Sequence, residues 1–508
     1  MTRPALRYAR WKAPAEDSQS LIWPAPGELL ADTGHNSRLF SSAHSVQLQN
    51  CPLPEVRQRM RQSLGHERED QPIIATGHQA ELHHPGVWVK NALIDALATR
   101  LGGRAIHFAV DTDEPKHLAL RWPGTSVSLV DDPALSKKPW SGLLDCPAPA
   151  HIDAMSAKLA DAAKAWDFQP VAPAFLASMK RHAVQSVNLP QALTDSLREL
   201  DLSLGLRYDA MLFSRVCGSE PYLLLAHHIL AHAQTFAADY NRALEEYRTL
   251  EKIRTPGRPM PNLRVEGEAI EVPFWLDDLK SAARIRAAVV RDKAGFSIEL
   301  HDGERFVFDP AADGWAAAAE LSNWLKSNDM RLAPRALMIT AVLRLLVADQ
   351  FVHGIGGGQY DQVLDRLIEH HFGMEPPRFC VTTATLYFPQ AVGKPRACLP
   401  CVLHEGHRLR HSVLGERKRQ WVTAIAAQPR HSPERSRLFF EMHDQLDALA
   451  RSDAGLIDWS KRYADAQRQV QQEKVLFDRE LFYGIQPADR LQNLVDHYRR
   501  EIEAAGRD

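Results

Sequence analysis

Ile73-Ile74-Ala75-Thr76-Gly77-His78-Gln79-Ala80-Glu81-Leu82-His83-His84-Pro85-Gly86, a helical pattern, and then Ala105-Ile106-His107-Phe108-Ala109-Val110-Asp111-Thr112-Asp113-Glu114 together decide the fold of this chain. Ile73 to Ala75 is an apolar run suited to a buried strand. Thr76 to Gly86 reads as a loop. Val89, Leu93, Ala96, Leu97 and Leu101 then recur at helical spacing, and Gly102 and Gly103 end the helix. Ala105 to Val110 is a second apolar run. The pattern predicts a βαβ unit whose two strands are parallel and joined right-handedly. In such sheets ligands sit outside the carboxyl ends of the strands. Two polar clusters fall there: Thr76, Gly77, His78 and Gln79 after the first strand, and Asp111, Asp113 and Glu114 after the second.

Working outward, the chain has 508 residues, enough for one large or two to three ordinary domains. A hydrophobic content of 45% supports a globular core, and a net charge of −2 (61 basic against 63 acidic) argues against nucleic acid or an anionic membrane as partner. No apolar run approaches the roughly 20 residues of a membrane span. Met1 to Pro14 lacks the apolar core of a secretory signal, and six cysteines in so long a chain make no disulfide framework. A cytoplasmic protein acting on small molecules is expected.

Residues 1–132 are assigned to the first part of an α/β core. Residues 133–330 form an insertion, helical at first, with a long helix over Tyr222–Leu250 and then a small antiparallel meander. Its strands are Ala269–Trp275, Ile285–Val290, Phe296–Leu300 and Phe306–Phe308. Residues 331–390 return to the core, with a helix over 335–352 and a glycine loop at 354–358. Residues 391–433, rich in Pro, His and Arg, read as an excursion loop, and 434–508 as a helical tail suited to pairing in a homodimer.

His78 is a candidate proton carrier near neutral pH. His83 and His84 share its loop, where surface polar residues also occur freely. Asp111 and Asp113 are candidates to hold a metal, an amine or a ribose hydroxyl, with a solvated, helix-capping turn as the plainer alternative. Gly354-Ile355-Gly356-Gly357-Gly358, followed by Tyr360, lets backbone N–H groups approach an anion at a helix start, or serves close packing. It has no P-loop ending and follows a helix-like stretch, unlike a dinucleotide fingerprint. Cys398, Cys401, His404 and His407 have the composition of a zinc site; a redox pair or ordinary packing thiols are the alternatives.

Thr76-Gly77-His78-Gln79-Ala80 resembles the Thr-Gly-Gln-Gln-Pro/Ala loop of the bacillithiol biosynthesis cysteine-adding enzyme family. Asp111-Thr112-Asp113-Glu114 with His117 resembles that family's acidic segment after its second strand. Phe351-Val352-His353-Gly354-Ile355-Gly356-Gly357-Gly358-Gln359-Tyr360 is similar to its Tyr-Val-Gly-Gly-Pro-Gly-Glu-Ile-Ala-Tyr segment, continuing through Phe372–Pro377 to Ala384–Leu386. Departures are His78 for Gln, Glu81 for Gly, and His353 without a counterpart. The resemblance implies a Rossmann-like core with an appended coiled coil. It also implies a ligase-like enzyme joining an amino acid, with cysteine the first candidate, to a small sugar-derived or carboxylate acceptor. Activation of the carboxylate points to ATP or another nucleotide. On that basis His78, Asp111 and Asp113 are the expected catalytic groups. Thr76, Gly77, Gln79, Glu114, His353, Gly354, Gly356, Gly357 and Tyr360 are the expected binding groups. Nucleotidyl transfer, and a non-catalytic binding protein favoured by the altered His78 and Glu81, are the alternatives.

Overall fold

Six strands form the central sheet of the computed structural model, which describes residues 9–131, 137–255, 257–293, 295–300, 303–335, 337–394 and 397–505. They are β1 (Ser20–Trp23), β2 (Ile73–Gln79), β3 (Arg104–Val110), β4 (Asp209–Leu212), β5 (Gln350–His353) and β6 (Phe379–Ala384). Their order across the sheet is β1-β6-β5-β2-β3-β4, all parallel except the edge strand β1. The chain winds outward from β2 through β3 to β4, then returns to lay β5 and β6 on the other side of β2. The direction therefore reverses between β2 and β5. The carboxyl ends of the five parallel strands form one rim.

Helix α1 (Pro85–Leu101) joins β2 to β3 as the sequence predicts. Pro85 sits at its first turn, the His84 side chain caps it by accepting from the Gly86 amide, and Gly102 closes it in the left-handed conformation (φ 63°). Every residue from Pro85 to Ala98 is buried, so the helix is covered on all sides. One cover is α6 (Ala488–Ala504), whose Leu491, Leu494, Val495, Tyr498 and Ile502 are buried at helical spacing. Arg499 pairs with Asp95 of α1 at 2.9 Å, and the Tyr498 and Thr382 hydroxyls meet at 2.6 Å.

The stretch 335–352, expected as one helix, is three elements: an α turn over Leu337–Val342, a π turn over Leu343–Val347, and strand β5. Continuous apolar runs carry no period that separates a buried strand from a buried helix. Tyr222–Leu250 is broken at His232 into helices Glu220–Ala231 and Ala233–Glu251. A helix over Pro26–Ser42 escapes sequence reading because its buried face is largely polar: Asp32, Thr33 and Asn36 lie between Leu29 and Phe40.

The antiparallel meander is present, with strands Ala269–Asp278, Arg284–Asp292, Gly295–Glu299 and Arg305–Phe308. Met330–Pro334 adds a further strand on the free side of Ala269–Asp278. Asp277, fully buried, accepts from Arg284 and Arg331, and Arg284 also donates to the Thr112 and Pro139 carbonyls at 2.8 Å. One ion-pair cluster thereby ties the meander to the segment following β3.

Residues Tyr387–Asp478 form a second unit, and Arg479–Asp508 belong with the core unit. The expected excursion loop is mostly helix α3 (Leu399–Ala426), followed by α4 (Pro433–Ser452) and α5 (Ala454–Leu476). The helix was masked by its exposure: only Gly406 and Ile425 of α3 are buried, so no apolar stripe marks it. The expected helical tail, with its break at the Gly-Ile-Gln-Pro of 484–487, divides between the units: α4 and α5 belong to the second, and α6, after the break, belongs to the first. No helix among the described residues is long and apolar enough to cross a membrane.

Candidate functional site

β2 continues as strand through Gln79, paired residue by residue with β3 up to Gln79 opposite Val110. His78 and Gln79 therefore stand at the rim on rigid backbone rather than in a loop. The chain then turns back, and Ala80 donates to the Val110 carbonyl and Leu82 to the His117 carbonyl. That turn brings Glu81 beneath His78.

The His78 Nε2 and Glu81 Oε1 atoms are 2.7 Å apart. The His78 side chain is 29% exposed, whereas Glu81 is buried and its other oxygen accepts from the His117 amide at 3.3 Å. Burial, reinforced by the nearby Lys90 ammonium, holds the His78 imidazole well below its ordinary value. A neutral ring donates Nε2–H to the carboxylate and keeps Nδ1 as an acceptor. Beside it, Gln79 Nε2 donates to Asp113 Oδ2 at 2.6 Å, and the Glu114 amide donates to Asp113 Oδ1 at 2.9 Å.

Lys90 lies under the pair. It projects from α1 and donates to the Gly77 carbonyl at 2.8 Å. Burial pushes its ammonium down to about 7, and the Glu81 carboxylate only partly opposes that. His83 and His107 continue inward, their rings 5.3 Å apart, with burial holding His83 at about 3 and His107 well below its usual value. His107 Nδ1 is 2.8 Å from Asn91 Oδ1, and Asn91 leads to Asp201, which Trp88, Tyr208 and Tyr483 also hydrogen-bond. The void beside His83 and His107 is about 10 Å³, room for no more than one water.

On the other side of β2, Val352 pairs with Thr76, so Gly354 follows one strand over, about 4.8 Å away laterally. The glycines do not form a loop before a helix, as expected. Gly354 is the N-cap of α2 (Ile355–Leu367), and Gly356, Gly357 and Gly358 are its first turn. They follow a strand, not a helix. Gly356 and Gly357 are exposed, and a Cβ at Gly356 would meet nothing within 4 Å. At Gly357 a Cβ would lie 2.9 Å from His353 Nδ1, and at Gly358 it would run into the Val381 side chain. One glycine thus leaves open space over unpaired helix amides, while the other two permit close packing.

Several expected contact residues serve the frame instead. The Thr76 hydroxyl donates to the Val352 carbonyl at 2.7 Å. Asp111, which burial raises, accepts from the Ser214 amide at 2.8 Å and, among the described residues, shares no hydrogen-bond partner with Asp113. His353 is buried and held neutral by burial, its Nε2 2.9 Å from Asp361. Burial pushes Asp361 up, but Arg344 and His353 outweigh it and bring the carboxyl down to about 2. Tyr360 is 47% exposed. Sequence reading passed over Lys90 and the role of Glu81. The signal for Lys90 was present: Lys90, Asn91 and Asp95 interrupt a run, Pro85 to Ala98, that is otherwise apolar.

Cys398 and Cys401 are joined by a disulfide, and His404 and His407 are exposed on α3. Two sulfurs bonded to each other are not thiolate ligands, and no group of three or more His, Cys, Asp or Glu that would hold a metal occurs among the described residues. A cavity of about 840 Å³ lies at the amino ends of the strands, between Phe40, Arg57, Arg61 and Asp349. Its charged groups are already committed: Arg57 and Arg61 pair with Asp349, which also caps the Ile73 amide. No protein-family model and no curated protein sequence matches this chain.

Proposed function

We propose that the protein is a ligase-like enzyme that joins a small amine- or thiol-bearing amino acid, with cysteine the first candidate, to a sugar-derived or carboxylate acceptor. The observation that carries this is the neutral His78, hydrogen-bonded to buried Glu81 directly above a lysine whose ammonium titrates near 7. Lys90, titrating near 7, is the group poised to take and return a proton at neutral pH, and the lowered His78 imidazole stays an unprotonated acceptor. His78 Nδ1 removes the proton from the incoming nucleophile, and Glu81 stabilises the imidazolium that results. Gln79 and Asp113 hold the amino acid's ammonium. The first-turn amides of α2 around Gly356 fit an anionic group, carboxylate or phosphate. A nucleotide such as ATP, when bound, would supply the phosphoryl or adenylyl group that activates the substrate's carboxylate.

The strand order, with its reversal between β2 and β5 next to these groups, supports reading the core as Rossmann-like. Two of the three departures from the resembling family, His78 and Glu81, contact each other. A hydrogen-bonded pair is hard to reconcile with a protein that kept only the fold.

Titration calorimetry with ATP, cysteine and amino-sugar malates, followed by product analysis of the mixture, tests the proposal. Binding of an amino acid that is lost in Asp113→Ala, and turnover lost in His78→Ala, are expected. Absence of binding to every probe, with a His78→Ala, Asp113→Ala double variant behaving as wild type, would sink it.

A further inference from the structure

The bonded pair Cys398–Cys401 lies outside the proposed site and in a different unit. Cys398 is the N-cap of α3, and the Cys401 amide donates to Cys398 Sγ at 3.2 Å. When the bond is reduced, that amide and the helix N-terminus favour a thiolate at Cys398. Both residues are exposed.

A structural bridge would show other features. The bond closes a loop with only Leu399 and Pro400 inside it, the case in which restricting the unfolded chain stabilises least. The helix end is also held without it: Trp459 Nε1 donates to the Val402 carbonyl at 2.7 Å, and the Trp459 ring lies against Gly406. The Ala397 amide is held by Glu473 at 3.0 Å. Elsewhere, Cys51, Cys217 and Cys380 are buried, and burial raises each thiol, which makes them poor nucleophiles.

We propose that Cys398 and Cys401 are a thiol–disulfide exchange centre whose partner is a carboxylate-bearing low-molecular-weight thiol and its disulfide. The Cys398 thiolate attacks one sulfur of the small disulfide. A protein–small-thiol bond forms, the small S–S bond breaks, and one thiol leaves with the electron pair and a proton. Cys401, losing its proton, then attacks Cys398 Sγ and releases the second small thiol. Two electrons and two protons pass from the dithiol to the small disulfide, and the reverse sequence reduces the pair. Charge near the pair sets the partner's class: Glu405, one turn from Cys401, is already committed to Arg462 at 2.8 Å, and Arg408 is the nearby cation on the same helix. His404 and Arg408 share the helix face of Cys401 by their spacing.

The full chain, reduced and freed of reductant, is mixed with glutathione disulfide near neutral pH and its cysteines are mapped by alkylation and peptide mass. Cys398 and Cys401 should oxidise together and release two glutathione molecules per chain. Cys401→Ser should accumulate glutathione on Cys398, and Cys398→Ser should slow the reaction by at least about tenfold. The preference for glutathione disulfide over bis(2-hydroxyethyl) disulfide should shrink in Arg408→Gln and at raised salt. Reaction no faster than at Cys146 of the same chain overturns the proposal. So does loss of helical circular dichroism on reduction, the mark of a structural bridge, or stoichiometric zinc uptake by the reduced chain that blocks exchange.

Discussion

At the scale of single residues, burial without full compensation is what sets this site apart. Lys90 donates to one carbonyl and faces one carboxylate, and its ammonium is still brought down to about 7. Below pH 7 the lysine is charged in folded and unfolded chains alike. Between 7 and 10.5 the unfolded chain holds a proton that the folded chain has released, so stability rises with pH across that window. In Lys90→Met this rise should vanish from urea-unfolding midpoints measured between those limits; an unchanged rise would show that Lys90 is not its source. Glu81→Gln keeps an acceptor for His78 but removes the charge that stabilises imidazolium. Turnover should drop by about 10²-fold with little change in binding, as measured by single-turnover kinetics and calorimetry. A variant equal to wild type in turnover would leave Glu81 a purely structural role.

At the scale of elements, α2 shows how one glycine run meets two demands. A Cβ at Gly356 meets open space, and alanine is the better helix former by up to about 1 kcal/mol, so Gly356→Ala should raise the melting temperature slightly. At Gly358 a Cβ would strike Val381 of β6, and Gly358→Ala should cost about 1–3 kcal/mol. Thermal unfolding of the two variants checks the order, and equal effects would refute the packing described. The run Gly354 to Gly358 was legible in the sequence. That it follows a strand was not, because Leu337 to Val352 is mostly apolar, broken only by Thr340, Arg344, Asp349 and Gln350, and burial on most sides erases both periods. Helix α3 was missed for the opposite reason, an exposed helix with no apolar stripe.

At the scale of the whole molecule, neutral buried histidines make folding sensitive to acid. Burial holds His84 and His227 at about 4 and His83 and His228 at about 3. Their unfolded value is 6.5, so as pH falls below it the unfolded chain takes up protons that the folded chain refuses. Each such histidine removes about 1.4 kcal/mol of stability per pH unit until its folded value is reached. Urea midpoints should therefore fall steeply between pH 6.5, the unfolded value, and pH 4, the folded value of His84 and His227. A flat profile would mean these rings are hydrated or already charged. Local order was determined by the sequence itself: the βαβ unit, its caps, the antiparallel meander and the polar residues at the strand ends follow from period, turn chemistry and charge within short windows. Which polar residues meet was decided only in three dimensions. Thr76, Asp111 and His353 turn to backbone or buried partners, while Glu81 and Lys90, unremarkable in one dimension, converge on His78. Strand pairing, helix packing and desolvation act between segments far apart in the chain, and no local pattern records them.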